Sequence, residues 1–279
     1  MRMKKTLKNM IICAAMPVCL MLNTVTSFAG SGADTSASVM RLEKTSGTVK
    51  VTQSSGKDAR VIEKMRLSSG DDIKSSAKSY AYISLDDSKA VKLDENSEAE
   101  VKKSGKKLEV DLKSGNLLFD VDKALSGDES FEIKTATMTM GIRGTCAQVE
   151  KRADNAASIT LLDGSLNCTL TDPATGKSQS VQLKAGEHAD FLTGEAYANG
   201  GQIIKRKATY KDLKGFSLQY ILENKATADR ILKSSGIDLQ GLTRKQVDEI
   251  ISGEQNGAAP SDNGGRTSPT AEWYTKKQG

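Results

Sequence analysis

Aromatic side chains supply only 4% of these 279 residues, and the chain holds one histidine and one tryptophan. A lone His188 cannot form the histidine pairs of zinc sites, and it is the sole imidazole available to any Ser-His-Asp arrangement. The tryptophan, Trp273, sits in a Gly-, Pro- and Ser-rich tail and is no core anchor. Long apolar runs are missing as well. The longest, Met10 to Leu22, spans 13 residues where a bilayer crossing takes roughly 20, and Pro17 interrupts it.

The N-terminus instead reads as a leader. Arg2, Lys4, Lys5 and Lys8 precede the apolar run, and Ser27-Phe28-Ala29 offers a small-x-small cleavage site. That is the pattern of a secretory signal peptide removed after Ala29. Cys13 and Cys19 follow Ile12 and Val18, not the small residue that lipidation favours. The first 29 residues hold four of the 40 basic groups and none of the 35 acidic ones, which leaves a formal net charge of +1. A near-neutral chain has no electrostatic footprint for nucleic acid. The expected place is outside the cytoplasm, secreted or in the cell envelope, with membrane contact only through the leader if it stays uncleaved. Two cysteines are left, Cys146 and Cys168, in a compartment where disulfides persist. Both fall at inward phases of predicted strands. A bridge between them and a pair of buried thiols fit equally well.

An internal echo organises the rest. Gly47-Thr-Val49-Lys-Val51-Thr, a turn at Gly56-Lys57, and Leu67-Ser-Ser-Gly70-Asp71-Asp72-Ile73 form one copy. Gly164-Ser-Leu166-Asn-Cys168-Thr, a turn at Gly176-Lys177, and Leu183-Lys-Ala-Gly186-Glu187-His188-Ala189 form the other. Each unit is too small to bury a face alone, and two stacked face to face build one core. Between them, period-2 alternation dominates: Ala81, Ile83 and Leu85; Leu108, Val110 and Leu112; Phe131 and Ile133. Turn signals recur about every ten residues without helices between strands. The fold expected is all-β, a jelly-roll-like β-sandwich built from two related halves with a short C-terminal helical extension.

The texture changes near Gly200. Phe216, Tyr220 and Ile221 share a helical stripe, a second helix starts near Thr227 and stops at Gly236, and Thr243-Arg-Lys-Gln246 is a capping-box opening for a third. The organisation expected is a signal peptide over 1–29, a flexible leader over 30–39, a sandwich domain over 40–195, a helical extension over 200–252, and a disordered tail over 253–279.

The ordered landmarks Ser46-Gly47-Thr-Val49, Gly70-Asp71-Asp-Ile73, Ala81-Tyr-Ile83-Ser-Leu85-Asp86-Asp87-Ser88, Val91-Lys-Leu93, Lys113-Ser-Gly115-Asn-Leu117-Leu-Phe119-Asp-Val121, Phe131-Glu-Ile133-Lys-Thr135, Gly144-Thr145, Asp163-Gly164 and Leu183-Lys-Ala-Gly186-Glu187 resemble the FecR domain. The likeness spans about Met40 to Leu192 and departs from the family at Cys146 and His188. It implies a jelly-roll-like domain outside the cytoplasm that senses or relays an envelope signal, often to a sigma factor through an N-terminal cytoplasmic region. Only nine residues precede the apolar run here, too few for such a region, so the extracytoplasmic module alone is carried over.

Candidate chemistry is sparse. Gly141-Ile-Arg143-Gly144 lacks the spacing of a phosphate loop and reads as a turn. The acid pairs Asp71-Asp72, Asp86-Asp87 and Asp94-Glu95 lack calcium-loop spacing, and neighbours on a strand point to opposite faces, so they read as turn residues capping loop amides. His188, matching Asp72 of the first copy, is expected to be exposed and interchangeable. Tyr80 and Tyr82 stand side by side on the face opposite Ala81, Ile83 and Leu85. They form either a partner or sugar surface or the floor beneath a C-terminal helix. No cofactor, metal or catalytic residue is expected. The reading is an exported, non-enzymatic binding or signal-sensing module whose partner is an envelope protein or polysaccharide, with a glycan- or cell-wall-binding module as the alternative.

Overall fold

The computed structural model describes residues 39–125, 127–152, 156–194, 201–239 and 241–256. The segment expected to be a signal peptide, the expected leader up to residue 38 and the tail beyond residue 256, Trp273 included, lie outside them. Seventeen strands run through the described residues: β1 Arg41–Ser46, β2 Val49–Thr52, β3 Asp58–Ala59, β4 Met65–Arg66, β5 Asp71–Ser75, β6 Tyr80–Asp86, β7 Lys89–Leu93, β8 Glu98–Ser104 and β9 Lys107–Val121. They continue as β10 Ser130–Lys134, β11 Met138–Ile142, β12 Cys146–Lys151, β13 Ala157–Asp163, β14 Ser165–Thr171, β15 Ser178–Lys184, β16 Glu187–Leu192 and β17 Gln202–Lys207.

Pairing sorts these strands into two layers. Sheet A runs β4-β1-β6-β7-β9-β12-β13-β16-β17. Sheet B runs β3-β2-β5-β8-β9-β10-β11-β14-β15. Every pair is antiparallel except β9 with β10. β9 belongs to both layers, because Lys107–Ser114 pairs with β8 while Gly115–Asp120 pairs with β12. The crossing falls at Gly115, whose φ is 79°. A side chain there would be strained and would run into Ser97 and the Asn96 carbonyl, so only glycine lets the strand change sheets.

Alternation decides what lies between the layers. Ala81, Ile83 and Leu85 from sheet A meet Val110, Leu112 and Ile133 from sheet B in one continuous buried core. At its centre Phe119 and Phe131 meet edge to face across the layers, with ring centroids 6.2 Å apart. The architecture is all-β with a short helical extension, as the alternation implies.

The two echoing segments are arranged differently from the expectation. They do not stack face to face. β2 and β14 both lie in sheet B, on opposite sides of β9. The first copy closes into β5 of sheet B, and the second closes into β16 of sheet A. The second copy spends seven residues on β15, paired along the whole of β14, and its Gly186 turn then passes the chain to the other layer. Each half therefore contributes strands to both sheets, and the halves sit side by side across β9.

The sandwich continues past residue 200 with β17, the edge of sheet A. Three helices follow: α1 Gly215–Glu223, α2 Lys225–Ser235 and α3 Arg244–Gln255. Gly236, at φ 70°, ends α2 in the left-handed conformation. Thr243 caps α3, its side chain accepting from Gln246 N–H while Gln246 reciprocates. Phe216, Leu218, Ile221, Ile231 and Val247 pack with Leu118, Cys146 and Leu162, which point out of sheet A away from the sandwich core. The helices thus form a third layer on the outer face of sheet A. None of the described helices is long and apolar enough to cross a membrane.

Candidate functional site

The outer face of sheet A buries several polar side chains, among them Lys92, Asp120, Gln148 and Thr160. Lys92, on β7, is 1% exposed. Its ammonium donates to the Phe216 carbonyl at 2.8 Å and to Gln219 Oε1 at 2.9 Å. The rings of Tyr80 and Tyr82 stand 5.0 and 4.8 Å from it, and that of Phe216 stands 5.9 Å away. Such ring faces attract a cation. β6 and β7 place Tyr82 opposite Lys92 in register, and α1 closes the cage from above. Burial pulls the Lys92 ammonium down to about 8, against the pull of Glu223 and Asp94.

A second cluster secures α2. The Asp120 carboxylate, on β9, accepts from Thr227 Oγ1 at 2.9 Å and from the Tyr220 hydroxyl at 3.3 Å, and it pairs with Arg230. The same guanidinium reaches Asp122 at 3.0 Å and Asp163 at 2.8 Å. One arginine thus bridges three carboxylates from β9, the loop after it and β13. Burial raises the Asp120 carboxyl, against the pull of Arg230 and Thr227.

Two open grooves flank these contacts. One, of about 340 Å³, lies between Asp94, Glu95 and Asn116 on the sheet side and Lys214 and Glu254 on the helical side. Asp94 accepts from Asn116 Nδ2 at 2.9 Å, and burial pushes its carboxyl up to about 6. Glu254 accepts from the Gly215 N–H at the start of α1, and burial pushes it up to about 7. The other groove, of about 490 Å³, is lined by Tyr82, Tyr220, Ser84, Asn224 and the charged Glu43, Lys44 and Glu223.

Tyr80 and Tyr82 do not form a free aromatic surface. The Tyr80 hydroxyl accepts from Gln255 of α3 at 3.2 Å, and Lys44 lies 4.2 Å from the Tyr82 ring centre. Burial holds both phenols up near 12. Tyr80 packs against the helical layer, and Tyr82 keeps an edge in the larger groove. Cys146 and Cys168 are free and buried. The bulge at Cys146 turns it outward under the helices, while Cys168 faces the sandwich core, so the pair reads as two buried thiols and not a bridge. His188 is buried, not exposed as expected from its match to Asp72. Its Nδ1 lies 2.9 Å from Thr160 Oγ1 and its Nε2 lies 3.6 Å from Asp190. The order Thr-His-Asp resembles a catalytic relay, with Thr160 1% exposed.

The acid pairs divide as strand geometry requires. Asp71 turns inward and accepts the Ser54 and Ser68 N–H groups, while Asp72 pairs outward with Lys113 at 2.6 Å. Asp86 accepts the Ser88 N–H. Among the described residues no group of three or more metal-ligating side chains converges. Arg143 lies just beyond β11, beside Gly144 at φ 79°, in a turn. Lys92, Asp120, Arg230 and Glu254 were not foreseen. The first two show in sequence only a charge at an outward phase between apolar neighbours, which reads as surface; the structure covers their strands on both faces.

Residues 71–167 match the family model described as FecR protein. The match confirms the FecR resemblance over a shorter stretch than the landmarks, from β5 into β14, with β9 near its centre. The helical layer lies outside it. No curated protein matches the chain. Two crystal structures of a candidate anti-sigma factor from Parabacteroides distasonis ATCC 8503 are similar, each at 15% identity and a TM-score of 0.40, over 49% of this chain. The chain spans 59% of the length of that protein, and a likeness of this size fixes neither fold nor role.

Proposed function

We propose that this chain is an extracytoplasmic, non-enzymatic FecR-type module that binds or senses a component of the cell envelope and regulates a response to it. The observation that carries the reading is the FecR match over the centre of the sandwich, where β9 ties both sheets together. The N-terminal basic and apolar segments support export. The helical layer supports regulation, because it is held by buried polar contacts that can be exchanged and not by an apolar seam alone. Crosslinking on intact cells, followed by identification of the neighbours, tests the reading. Enrichment of an envelope signalling protein supports it; recovery only from the cytoplasmic fraction removes it.

The larger groove favours a second reading, a glycan- or cell-wall-binding module. Tyr82 and Tyr220 offer ring edges, and Glu43, Glu223 and Asn224 offer the planar polar groups that hydroxyls bind. Binding on a glycan array that is lost in Tyr82→Ala favours this reading; an array without signal eliminates it.

A further inference from the structure

The three helices are held unequally. α1 buries Phe216, Ser217, Leu218 and Ile221, and α2 buries Ile231 and is pinned through Arg230. α3 fully buries only Val247, with Ile250 and Ile251 half covered. Its last turn nevertheless reaches both α1 and sheet A. Gln255 donates to Tyr80, and Glu254 accepts the Gly215 N–H at 3.1 Å. Gly215 itself is so close to Ile251 that a β-carbon would not fit without displacing it. Glu254 therefore sits where α3, which fully buries one side chain, closes tightly on α1.

The groups around Glu254 leave it poorly neutralised. Asp94 and Glu95 face it from the turn after β7, Lys214 faces it from the residue before α1, and Glu150, Lys151 and Arg152 line the same groove from the end of β12. Tyr80 approaches through Gln255. Asp94 is 6% exposed, and its side chain is held by an amide, Asn116, in place of a cation. Asp94 is buried and Glu254 half-buried, Lys214 is the cation that pulls on Glu254 while Asp94 and Glu95 repel it, and removing one negative charge relieves both desolvation and mutual repulsion.

We propose that the Asp94–Glu254 pair is a proton-operated latch that closes α3 onto α1 and sheet A in mildly acidic surroundings and loosens it toward pH 8. The inference deepens the sensing role proposed above; its test reads docking and not signalling, so either can fail without the other. The sign follows from linkage. Glu254 titrates near 7 when docked and Asp94 near 6, both above their ordinary values, so the docked state binds more protons. Docking is strongest below the ordinary carboxylate range and weakens as pH rises through 6 to 7. Lys92 titrates only near 8, so the change between pH 5 and 6.5 reads the two carboxylates without it.

Amide hydrogen exchange of the full chain at pH 5, 6.5 and 8, corrected for intrinsic rates, tests the latch. The expected result is protection of α3 amides that is at least about tenfold greater at pH 5 than at pH 8, with α2 amides unchanged. The Asp94→Asn/Glu254→Gln double variant is expected to hold its α3 protection at the acidic level throughout. Flat protection in the natural chain overturns the proposal, as does an unchanged slope in the variant. Should the variant fail to fold, the carboxyl carbon of Glu254 followed by NMR in the natural chain decides: a midpoint near 7 supports the latch, and one near 4.5 overturns it.

Discussion

The two faces of sheet A are both buried, yet they are built from different chemistry. The inner face presents Ala81, Ile83, Val91, Phe119, Val149 and Ile159 to the opposing sheet in an apolar interior. The outer face presents Tyr80, Lys92, Asp120, Gln148 and Thr160 to the helices, and many of its contacts are polar: Gln148 donates to the Asp212 carbonyl and accepts the Lys214 N–H. Apolar burial is non-directional and holds regardless of pH, whereas a buried ion or hydrogen bond holds in one geometry and one protonation state. The inner face therefore makes the fold, and the outer face makes an attachment whose strength depends on conditions.

That difference is broken most severely from the inside. Phe119→Ala removes a fully buried ring and leaves Phe131 without its edge contact, and it is expected to lower unfolding free energy by about 3–5 kcal/mol at any pH. Denaturant titration measures it. A loss below about 1 kcal/mol would mean that the two layers do not share one interior. On the outer face the largest expected effect comes from Arg230→Ala, about 2–3 kcal/mol, because Asp120 is left buried without its cation. Here the loss is expected to appear first as exchange of α2 amides, before any change in the sandwich strands.

Lys92→Met sharpens the contrast in the opposite direction. Replacing a buried ammonium by an apolar chain of similar length is expected to change stability at pH 7 by no more than about 1 kcal/mol, in either direction. The pH dependence is the clearer signature. The folded Lys92 loses its proton near 8, below its ordinary value of 10.5, so the unfolded chain binds more protons between those points and stability rises with pH across them. The variant is expected to lack that rise. Denaturation midpoints of both chains at pH 7.5 and 9.5 give the comparison, and parallel curves would show that the cage does not perturb Lys92.

The sequence announces the inner face and is nearly silent about the outer one. Alternation in Leu108-Glu-Val110-Asp-Leu112 and Phe131-Glu-Ile133 needs only a period of two to be read, and Gly236 and Thr243 mark helix ends through local backbone chemistry. Which face the helices cover is a long-range matter. Lys92 and Phe216 are 124 residues apart, and Asp120 and Arg230 are 110 apart. In a strand, a charge at an outward phase normally signals solvent, so Lys92 and Asp120 read as surface until the third layer is in place. The same reasoning misplaced His188, whose match to Asp72 holds in sequence but ends at the turn that sends β16 into the other sheet. The echo was readable as two units; their arrangement across β9 depended on the switch at Gly115, a local glycine with a global consequence.

The smallest expected effect isolates the helical layer from the fold beneath it. Thr243→Ala deletes the cap that accepts the Gln246 N–H, and such losses cost about 1 kcal/mol. In a helix fused to the core, that energy would be felt by the whole domain. α3 fully buries a single side chain, Val247, so its opening exposes little apolar area and need not wait for the sandwich to unfold. The substitution is therefore expected to speed exchange of α3 amides about fivefold while the denaturation midpoint of the β-sandwich stays in place. Equal shifts in both would show that α3 and the sheets unfold as one unit, and the distinction between a fold-making face and an attachment face would then end at α2.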